Sequence, residues 1–257
     1  VVVRGENYIS VIDPIKFKEK NRIPTAVGPG MVIFNPDGKE AYVCNSFTPV
    51  FEVIDLKKKK VIKQITVASP FSPFLQITPD LKQVWLTHKD IGKVTRIDLK
   101  TLKVIGTIDT GFITNHLAFA KTSKGILAYI TIGGENLIKV FTTGDAPTLV
   151  TQISVGALPH GIWSSDDGSR VFAGLENGDA VAVIDTEKNS VLKTIPIGQA
   201  PQALVFVSNA VASGAGTNNL IARVENPENI EIQLKAKSGE GNGFAVVVRT
   251  GMGTELG

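Results

Sequence analysis

The stretch that decides the fold is residues 35–65, which read NPDGKEAYVCNSFTPVFEVIDLKKKKVIKQI. A Pro-Asp-Gly turn leads into an aromatic-bearing strand at 41–45, and a second strand ends at Ile54-Asp55. A lysine-rich hairpin then leads into a third strand that starts at Val61. Turn residues bound strands that alternate or run apolar, as half-buried and buried strands do. With one further strand ahead of the turn, the unit predicts a four-stranded antiparallel sheet.

The unit recurs along the chain, and an Ile-Asp pair at the end of a strand marks each copy. Successive copies are spaced by 42, 43, 43 and 44 residues. They are Ile12-Asp13, Ile54-Asp55, Ile97-Asp98, a degraded copy at Val140-Phe141, and Ile184-Asp185. Four-stranded units with a period of 40 to 45 residues are typical of propeller blades. The sequence therefore predicts an all-β protein, a β-propeller of four-stranded blades.

The repeat resembles a known family. Tyr42-Val43-Cys44-Asn45 matches, in three of four places, the motif after which the YVTN repeats are named. The Asp-Gly turn, the Ile-Asp strand and a Val-x-x-Thr-Ile strand at 191–195 match it too, over residues 1 to about 207. The chain is thus similar to YVTN-repeat propellers, which include surface-layer-like and YncE-like proteins of bacteria and archaea. The resemblance implies a periplasmic, extracellular or cell-surface location and says little about the ligand.

The two ends of the repeat region are predicted to share one blade. Val1 to Arg4 occupy the place of a second strand, whereas Ala203 to Val207 supply only an innermost strand. This arrangement predicts five blades. Propellers of the resembling family are usually seven-bladed, so seven is the alternative if the chain is truncated. The chain starts at Val1 without an initiator Met or a signal peptide, as a processed or trimmed chain does.

Two segments follow from this reading, a propeller at 1–207 and a C-terminal part at 208–257. The second begins with a Gly-rich hinge at 212–217 and continues with strands predicted at 220–224, 230–234 and 244–248. About 40 residues bury too little apolar surface to fold alone. This small β-hairpin subdomain is therefore expected to dock on the propeller or on another chain, or to be the remnant of a larger domain.

Bulk properties exclude several classes of protein. A net charge of +3 and a pI near 8.9 are too mild for a dedicated nucleic-acid binder, and no apolar run approaches the length of a membrane span. Cys44 is the only cysteine, so neither an intrachain disulfide nor a cysteine-rich metal site is possible. Phosphate-binding, nucleophile-elbow, zinc-protease and EF-hand motifs are absent. These absences disfavour an enzyme, although propeller loops can build a site from scattered residues.

One group of residues is a candidate site. Aligning the starts of the innermost strands, which line the channel of a propeller, brings together Met31, Phe74, His116, His160 and Gln202. His116 and His160, with Met31 and Gln202, could bind copper or a similar metal at the channel mouth, since imidazole and thioether suit such ions. The favoured alternative is that each histidine bonds a backbone carbonyl of the next blade, because no carboxylate is evident beside them.

Several other conspicuous residues are predicted to have structural roles. Tyr42 and Trp85 share a repeat position and should pack between blades, and Cys44 should be a small buried packing residue. His88 is predicted to be a solvated loop residue. The run Lys57 to Lys60 is read as a solvated edge, with an anionic surface partner as the alternative.

The predicted function is a non-catalytic extracytoplasmic binding or scaffold propeller with a protein, glycan or surface-layer partner. Oligomers are possible, and neither nucleic acid nor a transmembrane segment is expected. The alternative is a metal- or redox-cofactor-associated propeller with its site at the channel mouth. A lactone-hydrolysing or lyase propeller is the third possibility, but the metal or acid–base pair that it needs cannot be assembled from the sequence.

Overall fold

The computed structural model describes residues 1–208, 221–223, 230–233 and 243–250, with side chains described over 1–206. The chain divides into two compact units, Val1–Leu117 and Ala118–Gly257, and the division falls within one strand. The described residues form β-strands and two short 3₁₀ turns, Arg4–Glu6 and Gly133–Glu135. No helix among them is long and apolar enough to span a membrane.

The first unit contains three antiparallel sheets in which the strands follow chain order. A three-stranded sheet comes first: β1 (Val2–Val3), β2 (Tyr8–Asp13) and β3 (Lys18–Pro24). A four-stranded sheet follows: β4 (Pro29–Phe34), β5 (Glu40–Asn45), β6 (Val50–Asp55) and β7 (Lys60–Thr66). The third sheet comprises β8 (Leu75–Ile77), β9 (Gln83–His88), β10 (Lys93–Asp98) and β11 (Lys103–Asp109).

The second unit also contains four-stranded sheets. Strand β12 (Thr114–Thr122), in which the division falls, leads into β13 (Gly125–Ile132), β14 (Leu137–Thr142) and β15 (Leu149–Ser154). The next sheet comprises β16 (Pro159–Ser164), β17 (Arg170–Leu175), β18 (Ala180–Asp185) and β19 (Ser190–Pro196). The last has the order β20 (Leu204–Ser208), β23 (Gly243–Thr250), β22 (Ile230–Gln233) and β21 (Ile221–Arg223).

The Ile-Asp marker has a structural cause. It ends the strand next to the outermost strand of a sheet, and the aspartate carboxylate accepts hydrogen bonds from amides of the turn that follows. Asp13 Oδ1 accepts from the amide of Ile15 at 2.8 Å, and Asp185 Oδ1 accepts from the amides of Glu187 and Lys188, both at 3.0 Å. The bond from the Lys188 amide, with that from Glu187, lowers the pKa of Asp185. The marker thus fixes a tight hairpin in the four repeats that contain the aspartate.

The same hairpins share two backbone features. The ladder between the third and fourth strands shifts register at the marker, for instance between Val53 and Ile54 and between Val183 and Ile184. One residue of the turn takes a left-handed φ close to 50° in four of the hairpins: Phe17, Lys59, Leu102 and Asn189. The recurrence of bulge and turn confirms that the 42-to-44-residue period is a structural repeat.

The cores lie between neighbouring sheets of each unit. In the first unit, Tyr42, Phe51 and Val53 pack against Leu86 and other residues of the next sheet. In the second, Tyr129 belongs to a cluster that extends over the sheets β12–β15 and β16–β19. Tyr42 and Trp85 are almost completely buried, at 1% and 0% exposure. Their predicted place in the core is confirmed.

The predicted closure of the repeat region was wrong in its pairing. Strand β20, which covers most of Ala203 to Val207, pairs antiparallel with β23, with Leu204 opposite Val247. The expected pairing with the N-terminal strands assumed that a strand at the end of the repeats finds its partner in the first repeat. The strands predicted at 220–224, 230–234 and 244–248 are present as β21, β22 and β23. The hinge at 212–217 lies outside the described residues, and the 207/208 boundary and the number of blades stay predictions.

Candidate functional site

In the second unit, a carboxylate joins two of the predicted site residues. Glu176 Oε2 lies 3.2 Å from His160 Nδ1, and Glu176 Oε1 accepts a 2.7 Å hydrogen bond from Gln202 Nε2. The side chains of His160 and Glu176 are 14% and 17% exposed, so the pair lies at the surface without being fully solvated. The carboxylate of Glu176 therefore contacts both the imidazole of His160 and the amide of Gln202. Each of these two residues lies near the start of an innermost strand.

The backbone around this cluster is fixed by short contacts. Thr131 Oγ1 donates to the carbonyl of His160 at 2.7 Å, and the amide of Glu176 donates to the carbonyl of Leu158 at 3.0 Å. The second of these bonds spans the hairpin between β16 and β17, in which Pro159 lies opposite Leu175. It brings the residue that follows β17 to the start of β16.

Glycine permits the close approach of the segment that carries Gln202. A Cβ at Gly174 would lie 2.6 Å from the carbonyl oxygen of Pro201, and one at Gly161 would lie 2.7 Å from that of Gln202. Both distances are shorter than real Cβ contacts, so a side chain at either position would displace the segment.

We expect Gly174→Ala to destabilise the second unit by about 2 kcal/mol, because the new methyl group overpacks against backbone that cannot rotate away. Gly198→Ala is the matched control, since a Cβ there meets nothing within 4 Å. Urea denaturation followed by circular dichroism measures both variants. Equal stabilities for the two would show that the Pro201 contact is loose.

In the first unit, His116 is a neighbour of Phe74. The two rings stack with centroids 4.1 Å apart and an interplanar angle of 17°. Phe74 is only 5% exposed, and Met31 packs partly buried against the core of the same unit. The predicted site residues of this unit therefore contact aromatic and apolar groups.

His88 forms a second polar cluster in the first unit. It is fully buried, with Nδ1 2.9 Å from Ser72 Oγ and Nε2 2.6 Å from Thr95 Oγ1. Burial lowers the pKa of His88 to about 4, although the charge of Asp90 acts in the opposite direction. A neutral imidazole donates one of these bonds and accepts the other. The prediction of a solvated loop residue was wrong, because His88 ends β9 and its ring turns towards the segment that enters β8.

Cys44 is completely buried, and burial raises the pKa of its thiol to about 12. The thiol therefore stays protonated at neutral pH and is a poor nucleophile. The interpretation of Cys44 as a packing residue is confirmed.

Residues 1–225 match the family described as YNCE-like beta-propeller. The chain belongs to this family. The protein named "Uncharacterized protein YncE" from Salmonella typhimurium is 28% identical over 95 residues, which cover 37% of this chain and 26% of that relative. The match thus spans about a quarter of the relative's length.

Solved structures agree with a propeller fold. A functionally unknown protein from Desulfotomaculum acetoxidans has a TM-score of 0.71 and 18% identity, over 80% of this chain and 68% of that one. Virginiamycin B lyase from Staphylococcus aureus has a TM-score of 0.65 and 18% identity, over 78% and 68%. At such identities the likeness shows the fold alone.

The five predicted site residues lie in or just before the first strands of their sheets, and their arrangement as a ring at a channel mouth stays a prediction. Met31, His116 and His160 lie within β4, β12 and β16, and Phe74 and Gln202 just precede β8 and β20. His160 and Gln202 are brought together in the second unit, as are Phe74 and His116 in the first. Among the residues whose side chains are described, no group of three or more His, Cys, Asp or Glu is arranged to hold a metal. Metal binding by His116 and His160 stays a prediction.

Glu176 is the residue of this propeller that sequence reasoning missed. The expectation that no carboxylate lies beside the histidines was wrong for His160, because Glu176 is its neighbour. The predicted strand pairing would have been enough to find Glu176. In an antiparallel hairpin, the residue after the second strand returns to the start of the first, so the position after β17 faces the start of β16.

Proposed function

We propose that this YncE-like propeller is a non-catalytic binding or scaffold protein that acts outside the cytoplasm, with a protein, glycan or surface-layer partner. The observation that carries the proposal is the bridging of His160 and Gln202 by Glu176. The contact of one carboxylate with both side chains links the segments that begin β16 and β20 and gives the imidazole a structural use. The resemblance to surface and periplasmic propellers supports the location.

The other potentially reactive side chains also support a non-catalytic role. The Cys44 thiol and the His88 imidazole are both inaccessible to solvent, and a nucleophile or general base must reach its substrate. A binding role instead uses loops and outer strands, which a rigid sheet scaffold presents to a partner.

Localisation and assembly test this proposal directly. A tagged full-length protein would be followed by cell fractionation, by protease accessibility in intact cells and by chemical cross-linking. We expect it outside the cytoplasm and in cross-linked complexes. A cytoplasmic monomer that forms no complex would contradict the proposal.

A metal-associated propeller is the second candidate, and one observation favours it. Glu176 places a carboxylate oxygen beside the imidazole of His160, and carboxylate and imidazole are common metal ligands. His160 and Glu176 would hold the ion, and Gln202 would offer an amide oxygen after rotation of its side chain. A metal bound there would act as a Lewis acid at the start of β16.

A further inference from the structure

The hairpin between β2 and β3 exposes two large apolar side chains. Ile15 is 86% exposed and Phe17 is 84% exposed. Phe17 also adopts a left-handed backbone with φ 50°, which is uncommon for a bulky residue. Neither burial nor backbone preference accounts for phenylalanine at this position.

The repeat provides a comparison for Phe17. Its equivalents are Lys59, Leu102 and Asn189, which adopt the same φ to within 2°. Lys59 and Asn189 are polar, and Leu102 packs against the core of the first unit. Asparagine suits a left-handed position and shows that the hairpin forms without an aromatic residue. The exposed phenyl ring is therefore dispensable for folding.

Lysines flank this apolar tip in sequence and also lie on the β6–β7 hairpin of the next sheet. The β2–β3 and β6–β7 hairpins, with their outer strands, carry eight exposed lysines: Lys16, Lys18, Lys20, Lys57, Lys58, Lys59, Lys60 and Lys63. Strand β3 lies beside β7, so the two hairpins are neighbours. Three acidic residues accompany them, and each is already engaged: Asp13 with Lys20, Glu19 with Arg22 and Asp55 with Lys58. The positive charge of this edge is therefore largely uncompensated.

The same bias extends to the whole first unit. Residues 1–117 contain 17 Lys and Arg against 11 Asp and Glu, whereas residues 118–257 contain 10 against 13. The mild net charge of the chain is thus the sum of a basic first unit and an acidic second one. Because of this charge asymmetry, an anionic partner is attracted to the first unit more strongly than to the second.

We infer that the β2–β3 and β6–β7 hairpins dock this protein on an anionic lipid bilayer. Phe17 and Ile15 enter the boundary between headgroups and acyl chains, while the lysines lie over the lipid phosphates. A soluble polyanion would satisfy the lysines but would leave both apolar side chains in water, so the bilayer is favoured. The inference rests on the proposed binding function and adds a lipid surface to the partners proposed there.

Vesicle co-sedimentation of the full chain tests this inference. One set of vesicles contains phosphatidylcholine alone, and the other contains phosphatidylcholine with a third of phosphatidylglycerol. We expect binding to the anionic vesicles only, with an affinity that falls as salt is added. Absence of binding to the anionic vesicles would overturn the inference.

Three variants separate the contributions. Phe17→Asn places the residue of the equivalent hairpin at the tip and should weaken vesicle binding about tenfold. Lys57→Glu/Lys59→Glu should weaken it at least about tenfold. The control Lys188→Glu/Lys193→Glu makes the same charge change on the β18–β19 hairpin and should leave binding within about twofold of the native value. Thermal unfolding checks that each variant folds.

The other outcomes are equally informative. Unchanged binding in Phe17→Asn would show that only charge attracts the protein, as for a soluble polyanion, and would overturn insertion into a bilayer. Equal losses in the two lysine pairs would show that the attraction is not specific to this edge. An oligomer that dissociates in Phe17→Asn would assign the tip to a second copy. Failure with vesicles, together with cross-linked complexes outside the cytoplasm, would reject the bilayer and leave the scaffold proposal standing.

Discussion

Trp85→Ala is expected to destabilise the first unit by about 4 kcal/mol, since it removes a fully buried aromatic side chain and leaves a cavity in close-packed surroundings. The substitution also removes the indole that donates a 2.9 Å hydrogen bond to Gln83 Oε1. The loss is large against the 5 to 15 kcal/mol that typically stabilise a domain, so the variant should unfold at markedly lower urea concentration.

Trp163→Ala provides the comparison for this prediction. Trp163 is only partly buried, and its removal should cost about half as much or less. Circular dichroism reports both transitions without relying on tryptophan fluorescence. If the two variants were equally stable, the aromatic repeat position of Tyr42 and Trp85 would not be the packing centre that the fold requires.

His88 should make the first unit sensitive to acid. Its pKa is lowered to about 4 in the folded protein from an ordinary 6.5, so the unfolded chain binds the proton more readily. Stability from this residue is fully present above pH 6.5 and is lost as the pH falls towards 4. The loss should reach about 3 kcal/mol, since each pKa unit corresponds to about 1.4 kcal/mol.

The matched variant is His88→Asn, because Asn45 occupies the equivalent position at the end of β5. This variant has no titrating group there, so its urea midpoint should change less between pH 7 and pH 4.5. The difference between the two pH profiles isolates His88 from carboxylates that also titrate below pH 5. Parallel profiles for native protein and variant would contradict a buried neutral imidazole.

The sheets could be predicted because each repeat contains local signals that act on their own backbone. The Asp of the marker binds turn amides within three residues, so the same letters produce the same hairpin wherever they occur. Apolar alternation in turn selects the faces that pack between sheets. Such information is local, and a 42-to-44-residue period repeats it.

Contacts that depend on pairing between segments were harder to predict. The pairing of β20 with β23 joins residues about 40 positions apart, across a stretch with no repeat marker. Glu176 reaches His160 only because a hairpin brings the end of β17 back to the start of β16. His88 resembles a turn residue in sequence, next to Lys89 and Asp90, yet its bonds to Ser72 and Thr95 require two other segments to be in place.

Metal content is the measurement that most directly tests whether the inner-strand histidines have a structural use. The full chain would be purified without chelator or immobilised nickel and analysed by elemental analysis and absorption spectroscopy, beside a His116→Ala/His160→Ala double variant. We predict a colourless protein with no stoichiometric transition metal and no difference in metal content between the two proteins. Stoichiometric copper, iron or zinc in the native protein that disappears in the double variant would contradict the scaffold proposal and establish a metal site.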